Sequence, residues 1–150
     1  MRLVQIKRWC LAFVLCIPTL VIASEPEVYT RFFSNLALEG YDTVAYFDQN
    51  KPVKGQSKYS HQYKGAEWQF STQGNLDKFV AMPREYAPQY GGYCSWAIAN
   101  GYTAKGDPQY WSIENGKLYL NYDADIQKKW LADKSGFIKK GDVTWPGVLN

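Results

Sequence analysis

Tyr110-Trp111-Ser112-Ile113-Glu114-Asn115-Gly116-Lys117-Leu118-Tyr119-Leu120-Asn121 is the stretch whose reading decides the fold. A two-residue hairpin turn needs positive φ at both central residues, and Asn-Gly between two aromatic and aliphatic runs meets that need best. Residues 110–114 and 117–121 are therefore expected to pair as a β-hairpin. The same logic applies upstream, where Lys58 to Tyr63 and Ala66 to Ser71 are separated only by Lys64-Gly65. Alternation places Tyr59, His61 and Tyr63 on one face of the first run, and Trp68 and Phe70 on one face of the second. Val44-Ala45-Tyr46-Phe47, stopped by the turn formers Asp48 to Pro52, reads as a further strand.

Helical patterns fill the intervals. Leu76, Phe79 and Val80 share a helix face behind Thr72, a candidate cap, and Pro83 ends that segment. A second pattern opens at Cys94, runs to Asn100 and closes at Gly101. The spacing of Ile126, Trp130 and Leu131 predicts a helix from Asp123 to Lys134, with Asp123 and Asp125 at the positive end of its dipole. A last piece runs from Phe137 towards Val143 and stops before Trp145-Pro146. Residues 28–38 suit a short helix or an extended arm, and Asp42 and Asp107-Pro108 read as cap and turn residues. The sum is an α+β domain: a small, mostly antiparallel sheet built from hairpins, packed with three to four short helices.

The N-terminus has a different character. Arg2, Lys7 and Arg8 precede an apolar run from Trp9 to Ile22, and Ala23 and Ser24 are small, which is the layout of a secretory leader. The run is short for a bilayer core of about 30 Å and Pro18 interrupts it, so stable membrane insertion is not expected. Cys16 follows bulky Leu15, which argues against lipid attachment there. The expected layout is a signal peptide at 1–23, an N-terminal arm at 24–35 and a domain at 36–149, exported to the periplasm or the extracellular space.

Loss of the leader removes Arg2, Lys7 and Arg8, leaving 14 Lys and Arg against 14 Asp and Glu in about 127 residues. The pI near 8.7 thus belongs mostly to the leader, and the neutral domain offers no basic surface for nucleic acid or an anionic membrane. One domain of this size forms its own core. All 12 tyrosines lie in it, and each large aromatic buries about 150–250 Å².

Beyond the leader the chain has one cysteine, Cys94, and one histidine, His61. A lone thiol in an exported protein has no intramolecular disulfide partner, so it is a core residue, a metal ligand or a nucleophile. Gly91-Gly92 permits a tight approach to Cys94. A helix N-terminus favours the thiolate, whereas shielding by Tyr93 and Trp96 favours the thiol. A soft ion such as Cu(I) is served by few ligands, for which Cys94, His61 and the Met82 thioether are the candidates. A closed zinc site lacks the necessary cysteines and histidines. Tyr90, Tyr93, Trp96, Tyr102 and Trp111 are candidate pocket walls, weighed against an ordinary aromatic core. No phosphate loop, serine triad or dinucleotide fingerprint is present.

Several segments in order resemble the YHS domain family: Gly40 to Phe47, Trp68-Gln69-Phe70-Ser71, Phe79 to Pro83 with Tyr86, Tyr90-Gly91-Gly92-Tyr93-Cys94, and Gly116 to Asn121. The resemblance spans about residues 36–149 and is strongest to the exported, single-domain branch with a Gly-Gly-Tyr-Cys segment. It implies metal handling, copper above all. Family members attached to metal-transporting ATPases carry a cysteine pair at positions that here hold Ser71 and Asn75, so metal binding by that pair is not expected. Selenocysteine at the position of Cys94 in some members implies sulfur chemistry there. Three readings follow: a soft-metal, copper-binding module at Cys94; a thiol-redox protein in which Cys94 is the catalytic group, a thiol-reactive small molecule the substrate and an external reductant the partner; or a structural interaction module. Enzyme and binding module are not separated at this level.

Overall fold

The computed structural model describes residues 24–150; residues 1–23, where a leader is expected, with Cys10 and Cys16, lie outside the described residues. The arm runs extended along the domain. The Glu25 amide donates to the Leu149 carbonyl (2.8 Å) and the Tyr29 amide to that of Gly91 (2.9 Å). Isolated bridges join Thr30 to Ala37 and Leu36 to Glu67. Residues 28–38, expected as a short helix or an extended arm, form no α-helix; they run extended into a tight turn at 31–34 and back.

The class is α+β, with the strands in two separate antiparallel ribbons. β1 (Gln56–Tyr63) pairs with β2 (Ala66–Phe70), and β3 (Asp107–Glu114) with β4 (Lys117–Asn121). Both turns have the expected backbone: φ is +51° and +77° at Lys64-Gly65, and +51° and +72° at Asn115-Gly116. Each ribbon carries a register shift that adds to its twist.

Six helices surround the ribbons, beyond the three to four expected: α1 (Thr43–Asp48), α2 (Gln73–Ala81), α3 (Pro83–Tyr86), α4 (Ser95–Ala99), α5 (Ala124–Ala132) and α6 (Lys134–Thr144). The expected caps are in place. Thr72 accepts from the Asn75 amide (3.1 Å) and Asp123 from that of Ile126 (2.8 Å). Pro83 ends α2 and also starts α3, where its fixed φ and missing N–H suit a first helical turn. None of the described helices is long and apolar enough to cross a membrane.

Residues 44–47 correct the sequence reading, for they lie in α1 and not in a strand. Asp42 caps this helix through the amides of Val44 (2.9 Å) and Ala45 (3.3 Å). Thr43, Val44, Ala45 and Tyr46 are all fully buried, so the helix shows no polar face. A short apolar run buried all round has no periodicity by which helix and strand can be told apart.

β4 divides the core. Strand alternation turns Leu118 and Leu120 to one side, where Val44, Tyr46, Trp68, Phe70 and Phe79 pack, and Tyr119 to the other, among Tyr90, Tyr93, Ile98 and Trp130. Phe79 is the hub of the first group, stacked on Trp68 with centroids 5.0 Å apart and edge-on to Tyr63 at 5.6 Å. Tyr119 lies against Trp130 at 5.3 Å in the second. Because β4 is buried on both faces, whatever lies beside it is held from two sides.

Candidate functional site

Cys94 lies beside that strand. Tyr90, Gly91 and Gly92 all have positive φ (+55°, +61° and +83°), and the reversal they make drops Tyr93 and Cys94 alongside β4. The space is tight: a Cβ on Gly91 would fall 1.8 Å from the Glu27 carbonyl oxygen, so glycine is required for steric as well as conformational reasons. Cys94 forms a parallel bridge with Leu120, and its amide donates to the Ala104 carbonyl at 2.9 Å. As expected it opens the following helix, α4, whose Ile98 amide donates to its carbonyl at 3.0 Å.

The thiol is 1% exposed. Burial pushes its pKa above the ordinary value near 9, and the negative charge of Asp123 adds to the rise. The nearby backbone amides of Ala97, Tyr122 and Trp96 favour the charged form and oppose the shift. Of the two tendencies foreseen at the sequence level, desolvation outweighs the amide donors. Cys94 is thus a neutral thiol near pH 7.

The sulfur borders a half-open cavity of about 230 Å³ lined by Cys94, Trp96, Ala97, Tyr102, Ala104, Tyr122 and Ile126. Trp96 and Tyr102 meet edge-to-face at 6.3 Å to form one wall. Asn121, wholly buried, places its Oδ1 3.9 Å from the sulfur while its Nδ2 has no hydrogen-bond partner. The neighbouring Ser95 hydroxyl is likewise buried and unpaired. A buried amide donor without an acceptor costs about 1–3 kcal/mol, so the immediate surroundings of the thiol carry polar groups that the fold leaves unpaired.

Of the five aromatics expected to surround the thiol, Trp96 and Tyr102 do. Tyr90 and Tyr93 belong to the second core group, and Trp111 packs on Tyr46 at 5.2 Å. Sequence reading missed Asn121, Tyr122 and Ile126. The first two directly follow Leu120, but the bridge from Leu120 to Cys94 joins residues far apart in the chain and has no local signal.

Neither His61 nor Met82 lines this cavity. His61 sits opposite Trp68 on β1 with its ring edge-on to Phe79 at 6.3 Å, and Met82 lies at the end of α2, 49% exposed. Ser71 and Asn75 surround Asp42 instead of a metal. The Asp42 Oδ2 accepts from the Ser71 amide (2.8 Å), the Ser71 hydroxyl (2.6 Å) and Asn75 Nδ2 (2.7 Å), while Oδ1 caps α1. Its lone pairs are fully engaged, which makes this node structural. Among the described residues no group of three or more His, Cys, Asp or Glu is placed to hold a metal ion.

Compared with known families, residues 44–90, from α1 to the Tyr90 turn, match the YHS domain. The match is narrower than the resemblance over 36–149, and Cys94 lies four residues past its end. No curated protein and no solved structure was found to match the chain.

Proposed function

We propose that the chain is an exported YHS-domain protein whose activity is thiol chemistry at Cys94, acting on a small, largely apolar, thiol-reactive molecule held in the adjoining cavity. One observation carries the reading: a single sulfur borders an apolar cavity, the nearby backbone amides of Ala97, Tyr122 and Trp96 favour its thiolate, and Asn121, whose Oδ1 lies 3.9 Å from it, holds a buried amide with no partner. Such donors stabilise a thiolate or a sulfur-bound oxygen. With a small hydroperoxide, the Cys94 sulfur attacks one peroxide oxygen, an S–O bond replaces the O–O bond, and the alcohol leaves with the thiol proton. An external thiol then condenses with the sulfenic acid, releasing water. A second external thiol restores Cys94 and departs in the disulfide. The external reductant is required because Cys94 is the only free cysteine among the described residues.

The YHS match supports a second reading, since that family is associated with metal handling. Cys94 would then supply one thiolate to a soft ion such as Cu(I) and release its proton on binding, the remaining ligand coming from outside the cavity. The two readings separate in one experiment. The exported protein is treated with a small organic hydroperoxide and then with a sulfenic-acid probe, and in parallel titrated with Cu(I) against a chromophoric competitor. The thiol reading expects labelling that Cys94→Ser abolishes. A folded protein whose thiol is inert to both hydroperoxide and a small alkylating reagent refutes it, and stoichiometric Cu(I) uptake lost in Cys94→Ser establishes the metal reading.

A further inference from the structure

A second cavity shares no lining residue with the one at Cys94. It is half-open, with a volume of about 160 Å³, and four stretches of chain meet around it: the arm at Glu27-Val28, the β1–β2 hairpin, the segment from α3 to the Tyr90-Gly91 turn, and Trp145 after α6. Its inner walls are aromatic and fixed. Trp68 and Tyr90 are both buried, the Trp68 indole N–H donating to the Tyr63 carbonyl (3.0 Å) and the Tyr90 hydroxyl to Asp142 Oδ1 (2.9 Å). Tyr63 stands edge-on to Trp68 at 6.2 Å, and Trp145 is tilted against Tyr90 at 6.0 Å. Because the polar atoms of the two buried walls are engaged within the fold, what they offer a ligand is aromatic surface. Three charged residues, Glu27, Lys64 and Arg84, line the same cavity while remaining exposed, which places them at its mouth. Glu27 and Lys64 form an ion pair and cancel. Among the described residues Arg84 takes part in no ion pair, and Glu85, its neighbour on α3, does not line the cavity. An aromatic recess therefore opens beside one uncompensated positive charge.

We propose that this cavity binds a small aromatic carboxylate, its ring against the Trp68 and Tyr90 walls and its carboxylate on Arg84. Size selects the body of the ligand. A closed apolar cavity of about 150 Å³ holds one benzene molecule, so a recess of about 160 Å³ admits a single ring and is too small for a nucleotide or a fused-ring cofactor. Charge selects the head. A guanidinium presents paired N–H donors that match both oxygens of a carboxylate, whereas a ligand carrying an ammonium group would meet like charge at Arg84. The site is separate from Cys94 and its occupation does not depend on thiol chemistry there.

The test titrates the folded protein calorimetrically with three probes: benzoate, benzamide, which keeps the ring and loses the charge, and acetate, which keeps the charge and loses the ring. Arg84→Gln is titrated with benzoate in parallel. Arg84 is exposed, so this variant should keep the wild-type melting temperature. Benzoate is expected to saturate one site, with benzamide and acetate each weaker by about tenfold or more, and with a similar loss of benzoate affinity in Arg84→Gln, as removal of one charge-assisted pair requires. Absence of saturable benzoate binding, equal affinity for either analogue, or unchanged benzoate affinity in Arg84→Gln would each overturn the proposal.

Discussion

Replacing Asp42 with alanine tests the account of how the YHS segment is held together. The carboxylate is wholly buried and accepts from five donors drawn from three elements: the amides of Val44 and Ala45 in α1, the Ser71 amide and hydroxyl after β2, and Asn75 Nδ2 in α2. Loss of the helix cap costs about 1 kcal/mol. The Ser71 hydroxyl can rotate to another acceptor, but its amide and the Asn75 side chain are fixed, and leaving them unpaired costs about 1–3 kcal/mol each. The expected destabilisation is about 4 kcal/mol, which for a domain of this size lowers the melting temperature by about 15 °C. Chemical denaturation monitored by tryptophan fluorescence gives the free energy directly, and an unchanged m-value would confirm that stability alone has moved. Asp42→Asn should lose only about half as much, because one oxygen remains as an acceptor while the new amide faces donors. A loss below about 1 kcal/mol for Asp42→Ala would refute the idea that this node joins the three elements.

Four further outcomes are expected. Burial pushes Tyr93 and Tyr119 up to about 12, and Tyr46 and Tyr90 are raised as well. An acid whose pKa is raised in the folded state contributes stability that is complete below its unfolded value near 10 and lost as pH rises through the folded value. Stability should therefore fall between about pH 10 and 12, with phenolate absorbance appearing in step; phenolate formation by all tyrosines near 10 in the folded protein would contradict the burial. The same sign holds for Cys94, so its alkylation rate in the folded state should still be climbing above pH 9, and a plateau near neutrality would show an already ionised thiol. Gly116→Val meets no neighbour within 4 Å, so its cost of about 1–2 kcal/mol is purely that of φ +72°. Gly91→Ala instead drives a methyl group into the Glu27 carbonyl and should release the N-terminal arm, read as faster proteolysis within residues 24–30.

What the sequence by itself determined is whatever short-range physics enforces. Asn115-Gly116 and Lys64-Gly65 set both hairpins because positive φ at two successive residues is open to few dipeptides. Thr72, Asp123 and Pro83 marked helix ends because a cap satisfies backbone donors two or three residues away. The same local logic made Asp42 a cap while missing the helix it caps, since Thr43 to Tyr46 are buried on every side and carry no periodic signature. It also identified Cys94 as the singular thiol at the head of a helix.

The surroundings of that thiol were decided by tertiary structure alone. Burial and the nearby backbone amides shift the thiol in opposite directions, and their balance depends on Tyr122, Ala97 and Trp96 lying around it. Asn121 reaches the site only because Leu120 bridges to Cys94 across an interval of 26 residues, a pairing set by how β4 packs between two core groups. His61, a candidate as the one histidine beyond residue 23, is drawn away for a related reason: its place on β1 sets its ring edge-on to Phe79. Local patterns specify backbone conformation, but a site is defined by which distant side chains converge, and that is settled only when the apolar faces of all the elements are buried against one another.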